Sequence, residues 1–117
     1  MTNIEVKSGN RKMELTVEGH SGYSSSGTDI VCAAISILCF TLLNAVMEQQ
    51  DKPLKTSYQK KDGYFSLNFF HCNDECLKAV FYAVCNGFQL LAERYPEYVS
   101  LRFLTNRGEI LNKNMQQ

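Results

Sequence analysis

A histidine and a cysteine, His20 and Cys32, stand on either side of a loop rich in glycine and serine. The cysteine also lies at the start of a long apolar run that is typical of a helix. A thiol of ordinary pKa, about 8.5, is mostly protonated at neutral pH, and a helix N-terminus or a neighbouring imidazolium lowers that pKa. These residue types therefore provide a thiol nucleophile and a base that can take its proton.

Spacing and residue type alone leave a second interpretation open, because most buried cysteines in proteins are inert. The context of the pair favours chemistry. Both residues lie at the ends of predicted elements joined by a flexible loop, where a base and a nucleophile can come within hydrogen-bond distance. We therefore predict a catalytic pair, His20 and Cys32, against the alternative of a binding module in which Cys32 is a buried helix residue.

The loop from Ser21 to Gly27 has little to bury and much conformational freedom, since it consists of glycine and serine around one tyrosine. On composition it fits an ordinary connection as well as a mobile flap that closes over a substrate. In the second interpretation Gly22 and Gly27 belong to the flap, and Tyr23 is its one bulky contact.

Asp29 precedes the apolar run and has two candidate roles. Either Thr28 or Asp29 can cap the helix, which places Cys32 at its third or fourth position. There the positive end of the helix favours a thiolate, and the free amides could receive the oxyanion of a tetrahedral intermediate. Alternatively, Asp29 orients His20, but capping is the commoner role of such an aspartate and is the one that we favour. Ser36, one turn beyond Cys32, either supports the site or bonds back to a carbonyl, and we favour the second role.

The run from Ile30 to Met47 contains no charged residue. A membrane span needs about 20 apolar residues, whereas this run is interrupted by Ser36, Thr41 and Asn44 and lacks flanking basic residues. We therefore predict a deeply buried helix and no membrane association. Because the helix is apolar nearly all round, one face would pack on a sheet and another on a second helix or a second subunit, so we expect a homodimer.

Alternating and turn-bounded apolar runs predict five strands, and a one-sided apolar stripe predicts a second helix. The strand signals lie at residues 4–6, 13–17, 54–60, 64–70 and 99–103, and the stripe at Leu77, Val80, Phe81, Val84, Phe88 and Leu91, with Asn73 as the helix cap. Asp62-Gly63 is a strong hairpin signal. The order ββαββαβ predicts an α/β fold, a two-layer sandwich with a mainly antiparallel sheet and two long helices. A chain of 117 residues is expected to form a single domain, 1–117.

Charge and cysteine content narrow the function classes. Twelve basic and twelve acidic residues give no net charge, which argues against a large nucleic-acid surface. Five cysteines, an odd number without a secretory signal, indicate reduced thiols. His71, Cys72 and Cys76 could approach a zinc ion, but structural zinc sites usually close with four ligands, and no second Cys-x-x-Cys pair is present. We favour packing for these residues and predict no metal site.

Gly19-His20, Gly22-Tyr23, Gly27 and Asp29-Ile30-Val31-Cys32-Ala33-Ala34 resemble the signature of the ribosomal-processing cysteine proteases, a bacterial family known as Prp. The signature is specific, because it sets a histidine, several glycines, an aspartate and a cysteine at defined spacing. The whole chain has the length of one family member. Two departures are visible, Ser21 in place of alanine and Ile35 in place of the commoner valine, and we expect neither to touch the chemistry.

The resemblance implies a cysteine endopeptidase with Cys32 as nucleophile, His20 as base, and Asp29 and Ser36 as supporting residues. It also favours the flap interpretation. The implied substrate is the N-terminal extension of the large-subunit ribosomal protein L-twenty-seven, cut after a pair of aromatic residues. The enzyme is then a cytoplasmic bacterial homodimer without cofactor that acts in ribosome biogenesis. The alternative is a non-catalytic binding module in ribosome assembly.

Overall fold

The computed structural model describes residues 1–9, 11–25, 27–48, 56–70 and 75–105. Its elements confirm the predicted order ββαββαβ. They are β1 (Thr2–Ser8), β2 (Lys12–Glu18), α1 (Ile30–Glu48), β3 (Thr56–Lys61), β4 (Tyr64–Phe70), α2 (Glu75–Arg94) and β5 (Val99–Leu104). The predicted helix cap Asn73 lies outside the described residues. So do His71 and Cys72, two of the three residues considered as zinc ligands.

The strands form one five-stranded sheet in the order β3-β4-β2-β1-β5. Three of the four neighbouring pairs are antiparallel, and only β1 and β5 run parallel. The prediction of a mainly antiparallel sheet is therefore confirmed. The parallel pair arises because the chain crosses from β4 through α2 before it adds β5 at the edge beside β1, and a parallel neighbour requires such a crossover.

Asp62 and Gly63 close the hairpin between β3 and β4, as the dipeptide predicts. Gly63 has a φ of +69°, in the left-handed region that favours glycine. The hairpin is also attached to the end of β2, because the Gly19 N–H donates to the Gly63 carbonyl at 2.8 Å. This attachment brings the β3–β4 turn next to His20, the residue that follows Gly19.

One face of the sheet forms the core, and the other carries polar side chains. Every second residue of β1, β2 and β4 is buried, for example Ile4, Leu15 and Leu67. These side chains belong to the same core cluster as the buried residues of α1 and α2. On the opposite face, Arg102 and Glu5 form an ion pair at 3.9 Å. The architecture is therefore the predicted two-layer α/β sandwich.

The described residues cover α1 on two sides. Its core side consists of Val31, Ile35, Cys39, Leu42, Leu43 and Val46. A second side meets α2, where a Cβ on Gly87 would lie only 2.7 Å from Leu38 Cδ2. The third side is exposed, and Ile37 is 63% accessible. The prediction of a deeply buried helix is therefore wrong for the part of the chain that the structure describes, in which no third layer lies outside the helices.

The length and apolar composition of α1 would also suit a membrane span, although core helices of soluble proteins share these properties. α2 matches its predicted stripe more closely. Leu77, Phe81, Val84 and Phe88 are buried, together with Cys85. The helix ends at Arg94, ahead of Pro96 as predicted.

Candidate active site

Cys32 is the third residue of α1, and Asp29 caps this helix. Asp29 Oδ1 accepts hydrogen bonds from the Val31 N–H at 3.0 Å and the Cys32 N–H at 2.9 Å. The Asp29 carbonyl accepts the first helical bond, from the Ala33 N–H at 3.1 Å. The capping role that we favoured for Asp29 is therefore confirmed, with Asp29 rather than Thr28 as the cap.

The second oxygen of Asp29 is bound by the flap. Asp29 Oδ2 accepts a hydrogen bond of 2.5 Å from the Ser21 hydroxyl and one of 3.2 Å from the Ser24 N–H. Partial burial raises the pKa of this carboxyl, but the hydrogen bonds from Ser21, Cys32 and Ser24 outweigh it and lower the pKa to about 2. Asp29 is therefore ionised throughout the physiological pH range.

The amides at the start of α1 bind a different acceptor from the one predicted. We expected them to receive an oxyanion, but the N–H groups of Val31 and Cys32 donate to the Asp29 carboxylate. The cap takes these donors because it lies directly above them. In this conformation the prediction of an oxyanion site at these two amides is therefore wrong.

Ser21 contacts Cys32, the predicted nucleophile, directly. Its side chain is buried, with 2% of the residue accessible. Its N–H donates to Cys32 Sγ at 3.4 Å. In return, the Cys32 thiol donates to the Ser21 hydroxyl oxygen at 3.5 Å. This departure from the signature therefore lies next to the thiol, and the expectation that it leaves the chemistry untouched stays a prediction. The comparison with the signature singled out Ser21, but it did not predict the contact of Ser21 with Cys32.

His20 follows β2 and lies beside the β3–β4 turn. Its Nε2 atom is 3.6 Å from Asp62 Oδ1, and both side chains are exposed. A Cβ on Gly63 would lie 3.1 Å from the same nitrogen. Among the described residues, the carboxylate paired with His20 is thus that of Asp62, while both oxygens of Asp29 bind other groups. Sequence reasoning missed the contact of Asp62 with His20. Only the register of β2 with β4 indicates it, because that register brings the β3–β4 turn beside the end of β2.

His20 and Cys32 line the same two cavities. One cavity, of about 380 Å³, extends toward the β3–β4 turn. The other, of about 460 Å³, extends toward the flap. Ser36 and Asp62 line both cavities with the predicted catalytic pair. The structure therefore brings His20, Cys32 and Ser36 together in one cleft that continues on both sides of the thiol.

The two ends of the cleft differ in chemistry. The end near the turn has apolar walls from Ile35, Phe40 and Phe65 and two ammonium groups, Lys60 and Lys61. Lys60 Nζ lies 4.6 Å from the centre of the Phe40 ring, a cation–π arrangement. The apolar wall within this otherwise polar cavity is suited to a large side chain of a bound peptide.

The flap forms the other end of the cleft. Gly22 and Gly27 line the cavity there, with φ values of +77° and +90°. Tyr23 points elsewhere, because its ring makes edge contacts with Tyr95 at 5.5 Å and Tyr98 at 5.3 Å between centroids. The two glycines are thus at the cleft, and Tyr23 holds the flap against the segment between α2 and β5.

The other described thiols differ from Cys32, which is half-buried at the cleft. Burial raises the pKa of Cys39 and of Cys85 to about 12. Cys76 is exposed, so the packing role predicted for it is wrong. No cluster of metal-binding side chains occurs among the described residues, a range that excludes two members of the predicted zinc alternative.

Comparison with known proteins places this geometry in a family. The family model for cysteine protease Prp matches residues 1–100. The ribosomal processing cysteine protease Prp of Staphylococcus aureus is 23% identical over 100 residues, which cover 86% of this chain and 94% of that protein.

Solved structures agree with this match. The S. aureus ribosomal processing protease Prp, in complex with a covalently linked product peptide, has a TM-score of 0.77 at 21% identity and covers 88% of this chain and 99% of its own. SMU.848 from Streptococcus mutans has a TM-score of 0.62 at 31% identity, over 90% of this chain and 93% of its own. With the family match over residues 1–100, the chain belongs to the Prp family and is a cysteine protease.

Proposed function

We propose that the protein is an endopeptidase in which Cys32 and His20 form a catalytic dyad. The observation that carries the proposal is the shared cleft, which both residues line and which continues on either side of the thiol. A peptide bound along this cleft would present a carbonyl to the sulfur, with its flanking residues in the two cavities. Residue type and position then assign the roles.

The reaction follows the usual course for a thiol nucleophile. Cys32 Sγ attacks the carbonyl carbon, His20 takes the thiol proton, and the carbonyl becomes an oxyanion. The C–N bond then breaks, and His20 transfers its proton to the leaving amine. Water, deprotonated by His20, attacks the thioester, and the free acid leaves as the thiol is restored. Each bond formed and broken is thus accounted for by one thiol, one imidazole and one water.

We further propose that the substrate is the N-terminal extension of the large-subunit ribosomal protein L-twenty-seven, cut after a pair of aromatic residues. The relative from S. aureus is named as a ribosomal processing protease, and its solved complex carries a product peptide. The cavity beside Cys32 supports an aromatic preference, because Ile35, Phe40 and Phe65 provide an apolar wall for a ring.

The proposed setting is the bacterial cytoplasm, with the protein as a homodimer. The homologues reported above come from bacteria. The exposed side of α1 supports self-association, because it lies within a run without charged residues and leaves Ile37 largely accessible. A second copy of the chain would cover this side.

Cleavage of a peptide that spans the extension tests the dyad and the substrate together. Mass spectrometry should detect one cut after the aromatic pair with the wild type. Cys32→Ala should abolish the cut, and His20→Ala should slow it by about 10²- to 10⁴-fold, the usual contribution of a general base. Cys76→Ser, which changes an exposed thiol away from the cleft, is the matched control and should cut normally.

A wild type that leaves both the peptide and the intact ribosomal protein uncut would contradict the proposed substrate. If it nevertheless bound the intact protein, the result would favour the binding module. Cleavage that survives Cys32→Ala would contradict the dyad itself.

A further inference from the structure

The flap begins with two consecutive backbone amides beside the thiol. The Ser21 N–H donates to Cys32 Sγ at 3.4 Å, so this amide points at the proposed nucleophilic atom. Gly22 lines the flap end of the cleft together with His20 and Cys32. Among the described residues, no group accepts a hydrogen bond from the Gly22 N–H. This second amide is thus available to a ligand in the cleft.

The first turn of α1 does not offer equivalent donors. The N–H groups of Val31 and Cys32 both donate to Asp29 Oδ1. The Ala33 N–H donates to the Asp29 carbonyl. The pKa of the Asp29 carboxyl is about 2, so at neutral pH the carboxylate retains its two donors as an ionised acceptor. An oxyanion that forms beside Cys32 must therefore find other donors.

The backbone at Gly22 has a conformation in which consecutive amides can share one anion. Gly22 has a φ of +77°, in the left-handed region that favours glycine. A turn of this kind makes successive N–H groups converge on a concave site that binds anions. Because the Ser21 amide points at the sulfur, we expect this concave site to lie beside the atoms where negative charge develops.

The side chain of Ser21 fixes its own amide in this direction. Only 2% of the residue is accessible, and its hydroxyl donates to Asp29 Oδ2 at 2.5 Å. The same hydroxyl oxygen accepts a bond of 3.2 Å from the Tyr23 N–H, on the other side of Gly22. Donors that are fixed before the reaction need no reorganisation as charge develops, which is the condition for strong stabilisation of an oxyanion.

We propose that the N–H groups of Ser21 and Gly22 form the oxyanion site of this protease. When Cys32 Sγ bonds to the carbonyl carbon, the electron pair of the C=O π bond moves to the oxygen, which only this carbon separates from the sulfur. The Ser21 N–H then exchanges the sulfur for the oxygen, and the Gly22 N–H becomes the second donor. When the C–N bond breaks, the electron pair returns to the carbonyl. The inference rests on the proposed role of Cys32 as nucleophile.

Replacing one backbone amide by an ester removes the N–H and keeps the side chain. Cys32 permits the synthesis, because a synthetic thioester of residues 1–31 can be joined by native chemical ligation to recombinant residues 32–117. The main variant has an ester in place of the Gly22 amide. It should lower kcat for peptide cleavage by about 10²- to 10³-fold, the usual loss for one oxyanion donor. KM should stay unchanged, because this bond forms only in the transition state.

A dipeptide aldehyde of phenylalanine measures the same contact at equilibrium. Its hemithioacetal oxygen takes the position of the oxyanion, so the Gly22 ester should bind it about 10- to 10²-fold less tightly. The Ser21 ester should also lower kcat. Its result is secondary, because this variant also lacks the bond to the Cys32 sulfur.

An ester at Ser25 is the matched control. Ser25 is an exposed residue of the same flap and lines neither cavity of the cleft. Within the described ranges its N–H also has no acceptor. Its kcat should equal that of an all-amide protein assembled by the same ligation. If circular dichroism shows that the Gly22 ester does not refold, N-methylglycine at position 22 removes the same N–H and is measured in its place.

Equal kcat and equal aldehyde affinity in the Gly22 ester and the all-amide protein would overturn the proposal. An equal loss in the Ser25 ester would do the same. Ser36→Ala tests the competing donor, because Ser36 lines both cavities. Weaker aldehyde binding in Ser36→Ala, with none in the Gly22 ester, would assign the oxyanion to that hydroxyl instead. An all-amide protein that neither cuts the peptide nor binds the aldehyde would contradict the proposed function itself, so the two failures are distinct.

Discussion

The Asp29 carboxylate organises the residues closest to the thiol. One oxygen accepts from the backbone amides of Val31 and Cys32, and the other accepts from Ser21 and Ser24. The same side chain thus begins α1 and holds the flap. This double use explains its low pKa, because both sets of donors stabilise the ionised form.

Asp29→Ala should lower the free energy of unfolding by about 1 kcal/mol at neutral pH, the usual effect of losing a helix cap. The folded-state pKa of about 2 lies below the ordinary value of 3.8. The stabilisation by Asp29 is therefore fully present above pH 3.8 and is lost as pH falls through about 2. Urea denaturation of both proteins across this range should show the difference narrowing as the pH falls.

Asp29→Asn is the control for charge, since an amide oxygen can still cap the helix. It should cost less than Asp29→Ala at neutral pH. A difference between wild type and Asp29→Ala that stays constant down to pH 2 would contradict the ionised cap.

At the scale of elements, the β3–β4 turn lies against His20, the proposed base. The turn is attached to the end of β2 through Gly19 and Gly63, and the space beside Gly63 is filled by the His20 ring. Position 63 therefore has two requirements, a positive φ and the absence of a Cβ. The hairpin contributes to the active site although it carries neither the nucleophile nor the base.

Gly63→Ala should destabilise the protein by about 1 to 2 kcal/mol through the positive φ, with a further cost from the contact with His20. It should also slow peptide cleavage, because the added methyl group displaces the imidazole. A double-mutant cycle with His20→Ala, measured by urea denaturation, isolates the contact. The cost of Gly63→Ala should be smaller by about 0.5 kcal/mol when the imidazole is absent.

Gly27→Ala is the matched control, because Gly27 also has a positive φ but a Cβ there would meet no atom within 4 Å. Its cost should be the same with and without His20. Equal costs of Gly63→Ala in both backgrounds would show that the turn does not hold the base.

At the scale of the whole molecule, a two-layer fold leaves the outer side of an apolar helix without cover. The exposed side of α1 includes Ile37, and exposed Tyr58 lies on the neighbouring edge strand β3. The run from Ile30 to Met47 has no charge that would oppose contact between two copies. The proposed homodimer follows from this surface.

Ile37→Lys should therefore convert the proposed dimer to a monomer, because it places a charge at the centre of the exposed side. The fold should be retained, since Ile37 is 63% accessible. Sedimentation velocity at micromolar concentration measures the change. Asn3→Lys, on the opposite face of the sheet, should leave the dimer intact. A wild type that sediments as a monomer would contradict the dimer.

Local patterns in the sequence determined the elements and the ends where the chemistry lies. Period-two alternation, the Asp62-Gly63 dipeptide and the stripe of α2 depend on neighbours a few positions apart, and the structure confirms each of them. Asp29 was recognisable as a cap for the same reason, because a cap acts on amides two and three residues ahead.

Only the tertiary structure decided which distant residues meet at the cleft. Asp62 reaches His20 because Glu18 of β2 pairs with Tyr64 of β4, and that register depends on the whole sheet. Ser21 reaches Cys32 because the flap folds back onto the start of α1. No periodic pattern reports such contacts, since they are set by strand pairing and loop closure. The motif therefore indicated the proposed nucleophile and base, and the packing of the chain supplied the groups that contact them.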